Sequence, residues 1–68
     1  MEISYDPEVN VLNIQLQKGN YEKSRELDDR IIIDYSTDGK IMNIEILDAT
    51  KRISTKTIES MKKRKSIA

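Results

Sequence analysis

The 68-residue chain has neither cysteine nor histidine and balances 12 Lys+Arg against 12 Asp+Glu, for a formal net charge of zero. This composition excludes disulfide staples, the usual structural zinc sites, and Ser-His-Asp or Cys-His nucleophilic schemes within one chain. A domain of this size buries only about 60% of the surface its unfolded form exposes, so strong local patterning or a partner subunit has to support a marginal core. The apolar runs are far shorter than the roughly 20 residues of a membrane helix, and the first residues lack the layout of a signal peptide. A soluble cytoplasmic protein with no membrane contact is therefore expected.

The zero net charge hides a division. Residues 1–50 carry five Lys+Arg and eleven Asp+Glu (5 − 11 = −6), whereas residues 51–68 carry seven and one (7 − 1 = +6). An acidic body with a basic tail says more about partners than the overall balance does.

In chain order, Ile3 and Tyr5 alternate with polar residues up to Asp6-Pro7-Glu8, where proline fixes φ and ends a first strand near Tyr5. Residues 11–16 place Leu12, Ile14 and Leu16 on one face and Val11, Asn13 and Gln15 on the other, a half-buried strand that pairs back onto the first. Lys18-Gly19-Asn20 is a turn. Residues 21–27 form a third strand, at an edge or partly exposed, with Tyr21 and Leu27 its only large apolar residues.

Residues 28–50 read as the main hairpin. Ile31, Ile32 and Ile33 precede the Asp38-Gly39 turn signal, and Ile41, Met42, Ile44, Ile46 and Leu47 follow it. A two-residue turn at Asp38-Gly39 sets Thr37 against Lys40, Tyr35 against Met42, Ile33 against Ile44 and Ile31 against Ile46. A four-residue loop slides the pairing by two without changing the face on which these residues lie. Ile31, Ile33, Met42, Ile44 and Ile46 are thus expected to be largely buried beside Leu12, Ile14 and Leu16. After the hairpin, Ser54 or Thr55 can cap a helix over residues 55–64, with Ile58 and Met61 on one face and basic residues near its end.

The fold expected is α+β: a small antiparallel β-meander of four or five strands, residues 1–53, with one C-terminal basic helix and tail, residues 54–68, in the same single domain. Ile32, Ile41 and Leu47 fall on the face opposite the main apolar pairs. One short helix covers at most one face, so a homodimer packed through the sheet is expected.

The segments Tyr5-Asp6-Pro7-Glu8-Val9-Asn10-Val11-Leu12-Asn13-Ile14-Gln15-Leu16, Asp28-Asp29-Arg30-Ile31-Ile32-Ile33-Asp34-Tyr35, Gly39-Lys40-Ile41 and Ile44-Glu45-Ile46-Leu47-Asp48-Ala49 resemble, in order and spacing, the domain-of-unknown-function family numbered 2283 over roughly residues 1–53. Arg30 stands where members often have glycine, Asn10 where they often have aspartate, and Asn13 where an aromatic is common. The resemblance implies a small, mainly β protein without an established activity. Some members are encoded beside toxin-like partners, which implies an antitoxin-like binding role for a minority.

Two glycines, Gly19 and Gly39, build no phosphate-binding glycine pattern. The chemistry left open is a carboxylate site using Asp28, Asp29, Asp34, Glu45 or Asp48, since hard cations accept oxygen ligands. With a two-residue turn, Asp29 opposes Asp48, so either a cation joins them or the strand ends splay apart. The plainer reading is turn capping by aspartates. Lys62, Lys63, Arg64 and Lys65 form the strongest electrostatic feature and can meet phosphate, an acidic protein surface or water. No aromatic residue among residues 51–68 stacks on bases, which weakens single-strand binding. The expectation is a non-enzymatic protein-binding module that needs no cofactor and has no metal ligands, with Ile32, Ile41, Leu47 and the basic run as its interaction surface. Nucleic-acid binding through the tail and carboxylate metal binding are the rivals.

Overall fold

A computed structural model describes residues 1–62. Strands form where β-branched and apolar residues cluster: β1 (Glu2–Asp6), β2 (Val11–Gln15), β3 (Tyr21–Asp28), β4 (Ile31–Ser36) and β5 (Ile41–Leu47), followed by the helices α1 (Ala49–Arg52) and α2 (Thr55–Lys62). All five strands join one open antiparallel sheet in the order β1-β2-β5-β4-β3. The α+β architecture is the one expected from the sequence, and α2 starts at the expected residue. Lys63, Arg64 and Lys65 lie outside the described residues.

The strand order requires the chain to leave β2 inside the sheet and start β3 at the far edge. Residues 16–20 make that crossing along the ends of β5 and β4. The Leu16 and Gln17 N–H groups both donate to the Met42 carbonyl (2.8 and 3.3 Å), and the Thr37 N–H donates to the Asn20 carbonyl (2.8 Å). Gly19 passes so close to the β4–β5 turn that an added Cβ would sit 3.3 Å from the Ser36 Cβ.

The hairpin β4–β5 pairs Ile31 with Ile46 and Ile33 with Ile44, but Tyr35 faces Ile41 rather than Met42. The turn is longer than the two residues expected. The Ser36 N–H donates to the Lys40 carbonyl and the Gly39 N–H to the Ser36 carbonyl, both at 2.9 Å. Gly39 has φ +81° and Asp38 has no positive φ, so this is a three-residue loop with glycine in the left-handed position, not the type I′ turn. The extra loop residue is offset by a bulge at Met42, which returns Ile33 and Ile44 to the expected register.

Residues opposite one another share a face, so Ile3, Tyr5, Leu12, Ile14, Ile31, Ile33, Ile44 and Ile46 occupy one side. The fully buried hydrophobic core, however, is Ile3, Leu12, Ala49 and Ile58, with Tyr5, Ile14, Ile46, Ile53 and Met61 packed against it. The expectation that Ile31, Ile33, Met42, Ile44 and Ile46 would be largely buried with Leu16 is corrected. Those five are only partly buried, with Ile46 alone of them packed against the core, and Leu16 is 38% exposed.

The cause is where the helix lands. Asp48 turns the chain in a left-handed conformation (φ 49°) into the short α1, which the sequence had not revealed. Ser54 then caps α2, its Oγ accepting the Thr57 N–H at 3.1 Å. Ile58 reaches the sheet with α2 packed over β1, leaving β4 at the far side.

Leu12→Ala should cost about 2–5 kcal/mol in urea unfolding because Leu12 is fully buried. Leu16→Ala should cost under about 1 kcal/mol. Gly39→Ala should cost about 1 kcal/mol or more, and Gly39→Asn less, since asparagine tolerates the left-handed region.

Candidate interaction surface

Two sheet faces and one charged corner hold the residues that could act. On the main face, β5 and β4 present Ile44 beside Ile33 and Ile46 beside Ile31, with Tyr35 opposite Ile41. β3 borders this area with Arg25 opposite Ile33 and Lys23 opposite Tyr35. A hollow of about 260 Å³ opens there, lined by Glu22, Lys23, Arg25, Tyr35 and Thr37 among others. Ile31, Ile33, Tyr35 and Ile44 are half-buried and Ile41 is 36% exposed. The result is an apolar half-face with a basic border.

The opposite face is polar. Asn43 Nδ2 donates to Asn13 Oδ1 (2.6 Å) and Asp34 Oδ2 (3.3 Å), the Ser24 hydroxyl donates to Asp34 Oδ1 (2.6 Å), and the Tyr21 hydroxyl lies 2.7 Å from Ser24. Ile32 sits in this face between Glu26 and Glu45, and Leu47 lies opposite Val11. Ile41, expected on this face, lies on the main face instead, because the bulge at Met42 shifts the alternation and sets it against Tyr35; it is also about 20 Å from Leu47 at ~3.4 Å per residue. The structure therefore does not gather Ile32, Ile41 and Leu47 into one apolar patch. The larger apolar area lies on the main face, which sequence reasoning had assigned to the core. The signal that could have found it was the thin apolar stripe of the helix, Ile58 and Met61 alone.

At the corner where β3, β4 and β5 end, the aspartates are neutralised by arginines. Arg30 Nε donates to Asp48 Oδ2 at 3.1 Å, and Arg52 Nη1 lies 3.0 Å from Asp28 Oδ2. The cation between the acidic strand ends is thus a guanidinium of the chain itself. Asp28 also accepts the Arg30 N–H at 2.8 Å, and this bond, with Arg52 behind it, holds its carboxyl below the ordinary 3.8. The Ser36 hydroxyl does the same for Asp38, with Lys40 adding to it. Asp34 is occupied by Ser24 and Asn43. Among the described residues no group of three or more Asp or Glu is placed to hold a metal ion.

Asn10, in the left-handed conformation at φ 57°, ties the β1–β2 turn to α1. Its Oδ1 accepts the Tyr5 hydroxyl at 2.7 Å, its Nδ2 donates to Thr50 Oγ1 at 2.9 Å, and its carbonyl accepts the Ala49 N–H at 3.0 Å. Of the basic run, Lys62 is described; it is exposed and lies 3.7 Å from Glu59. No described helix is long and apolar enough to cross a membrane.

A family model described as a protein of unknown function, DUF2283, matches residues 2–49. No curated protein and no solved structure matches the chain.

The depressed carboxyls of Asp28 and Asp38 bind protons more weakly in the folded than in the unfolded chain. Their contribution is fully present above about pH 5 and is lost as pH falls through and below their ordinary value. Stability measured by urea unfolding should therefore fall on acidification through that range, and Asp28→Asn should flatten the fall. An unchanged acid limb in that variant would show that the Asp28 contacts contribute nothing.

Proposed function

Because the chain belongs to the DUF2283 family of proteins of unknown function, we propose its role from its surface: a small, non-enzymatic protein-binding module whose docking site is the uncovered apolar half of the main sheet face. The observation that carries this reading is the position of α2. It packs over β1 and leaves Ile31, Ile33, Tyr35 and Ile44 partly exposed side by side. Singly exposed apolar residues are ordinary, whereas a contiguous patch with a polar border marks an interaction site.

The side chains support binding over catalysis. The carboxylates Asp28 and Asp48 at the strand ends are engaged by Arg52 and Arg30, and Asp34 by Ser24 and Asn43, so among the described residues these carboxylates are held by contacts within the chain. The basic border of Lys23 and Arg25 suits a partner that brings acidic residues around an apolar centre. An antitoxin-like role, in which this face sequesters a toxin-like protein, is one form such binding takes.

The reading is tested by capture from a native cell extract using the intact chain, Ile33→Glu, and the fully surface-exposed pair Lys23→Glu/Arg25→Glu. A protein retained by the intact chain should fall at least about tenfold with either variant, both remaining folded by circular dichroism. Undiminished capture by both variants would refute the docking site. Recovery that vanishes on nuclease treatment would instead favour the tail as a nucleic-acid contact.

A further inference from the structure

Resting on that docking site, we infer that its occupant is a second copy of the chain, packed face to face about a twofold axis near Ile33 and Ile44.

The β3 edge of the sheet argues against self-association by strand pairing there. β3 is an eight-residue edge strand, exposed throughout. Antiparallel pairing of a strand with its own copy about a twofold axis opposes residues whose numbers sum to an even value. Centred on Ser24, it sets Glu22 against Glu26 and Lys23 against Arg25. Centred on Lys23, Arg25 or Glu26, it sets that charge against itself. Every central register thus opposes like charges, which destabilises a strand pair. Register shifts at Glu22 and Leu27 further break the row of edge hydrogen-bonding groups. Self-association is directed from this edge to the face.

The face suits a copy of itself in depth and area. A second sheet packs about 10 Å above the first, close to the ~10–12 Å diameter of a helix, so the partner's sheet can occupy the layer that α2 already fills over β1. The molecule measures 35 × 29 × 16 Å. Half of its broad face is about 500 Å² per copy and about 1,000 Å² for a pair, the size at which biological interfaces begin. Lys23 and Arg25 stand at the border of the patch in both copies, at the rim, where solvent and salt screen like charges. Ile33 and Ile44, directly opposed at the middle of the exposed half, are apolar on both sides of the axis and meet their own kind.

The test is sedimentation velocity of the full chain from about 1 µM to about 1 mM, alongside Ile33→Glu and a chain ending at Lys62. The expected result is a mass that doubles with concentration in the full and shortened chains, while Ile33→Glu stays monomeric with an unchanged circular dichroism spectrum. Should Ile33→Glu fail to fold, isotope-filtered NMR on a mixed labelled and unlabelled sample of the intact chain decides: intermolecular contacts between Ile33 and Ile44 methyls support the inference and their absence overturns it. A full chain that is monomeric throughout overturns it, as does a dimer that survives in folded Ile33→Glu. Dimerisation seen only in the shortened chain also overturns it, by identifying residues 63–68 as the occupant. A monomeric chain that still loses a captured protein on Ile33→Glu overturns the second copy alone and leaves the docking site standing. A folded Ile33→Glu that changes neither mass nor capture overturns both.

Discussion

The clamp at Asn10 decides how much of the sheet the helices can cover. A left-handed backbone at Asn10 lets one residue use its carbonyl for Ala49, its side-chain oxygen for Tyr5 and its amide nitrogen for Thr50. α1 is thereby fixed against the β1–β2 turn, and Asp48, also left-handed, sets the direction in which the chain leaves β5. Residues Ile53 and Ser54 alone separate α1 from α2. α2 therefore comes down over β1 with Ile58 against Ile3 and Leu12. The exposed half-face follows from that tether: an eight-residue helix is about 12 Å long at 1.5 Å per residue, and a short connection gives it no reach to β4.

Electrostatics organise the corner where the strands end. The sheet places Asp28 and Asp48 at one corner, where like charges would push the strand ends apart. Arg30 and Arg52 meet them instead, and Asp29 also favours the charged form of Arg30. These pairs are partly exposed, and the side chains range from a third to nearly half accessible, so their worth is modest. Their larger effect is on what the corner can bind: carboxylates already facing guanidinium groups are poor ligands for a further cation. The polar face has the same character. Asp34 sits in a side-chain chain running from Tyr21 through Ser24 to Asn43 and Asn13, which holds a charged group on the sheet without a counterion.

The sequence exposed strand identity and face assignment well because period-two alternation is local. Ile33 opposite Ile44 followed from counting through Asp38-Gly39, although the count was right for a reason it did not contain: the longer turn and the Met42 bulge cancel. Strand order was less legible, because β2 pairs with β5 across 31 intervening residues of chain, from Asn13 to Glu45 by register at the centre, and no local pattern encodes that partner. The helix landing was hidden for a related reason. It depends on left-handed backbone at Asn10 and Asp48, and although Asn and Asp enter that region more readily than other residues with a side chain, nothing in the local sequence marks which of the chain's many Asn and Asp residues do so. Asn10, Asn13 and Arg30 each carry a specific side-chain bond. Their chemistry was visible as polar side chains, while their partners were set by the fold.

Energetics tie the small core to the open face. A domain of 68 residues is stable by about 3–10 kcal/mol on the usual per-residue scale. Fully burying one isoleucine contributes about 1.5–3 kcal/mol relative to leaving it exposed. Ile31, Ile33 and Ile44 are each partly exposed, so covering what remains open adds at most about 3 kcal/mol in total, a fraction of the stability of the domain, before the entropy lost in association is subtracted. An open face of this kind couples folding to occupancy: whatever docks there stabilises the sheet by mass action. The charged, bulged β3 edge works in the opposite sense, keeping the same sheet from extending through its hydrogen bonds. Apolar surface is left partly open on one half of one face while strand pairing is opposed along the adjoining β3 edge, so on the proposed reading the face rather than that edge receives a partner.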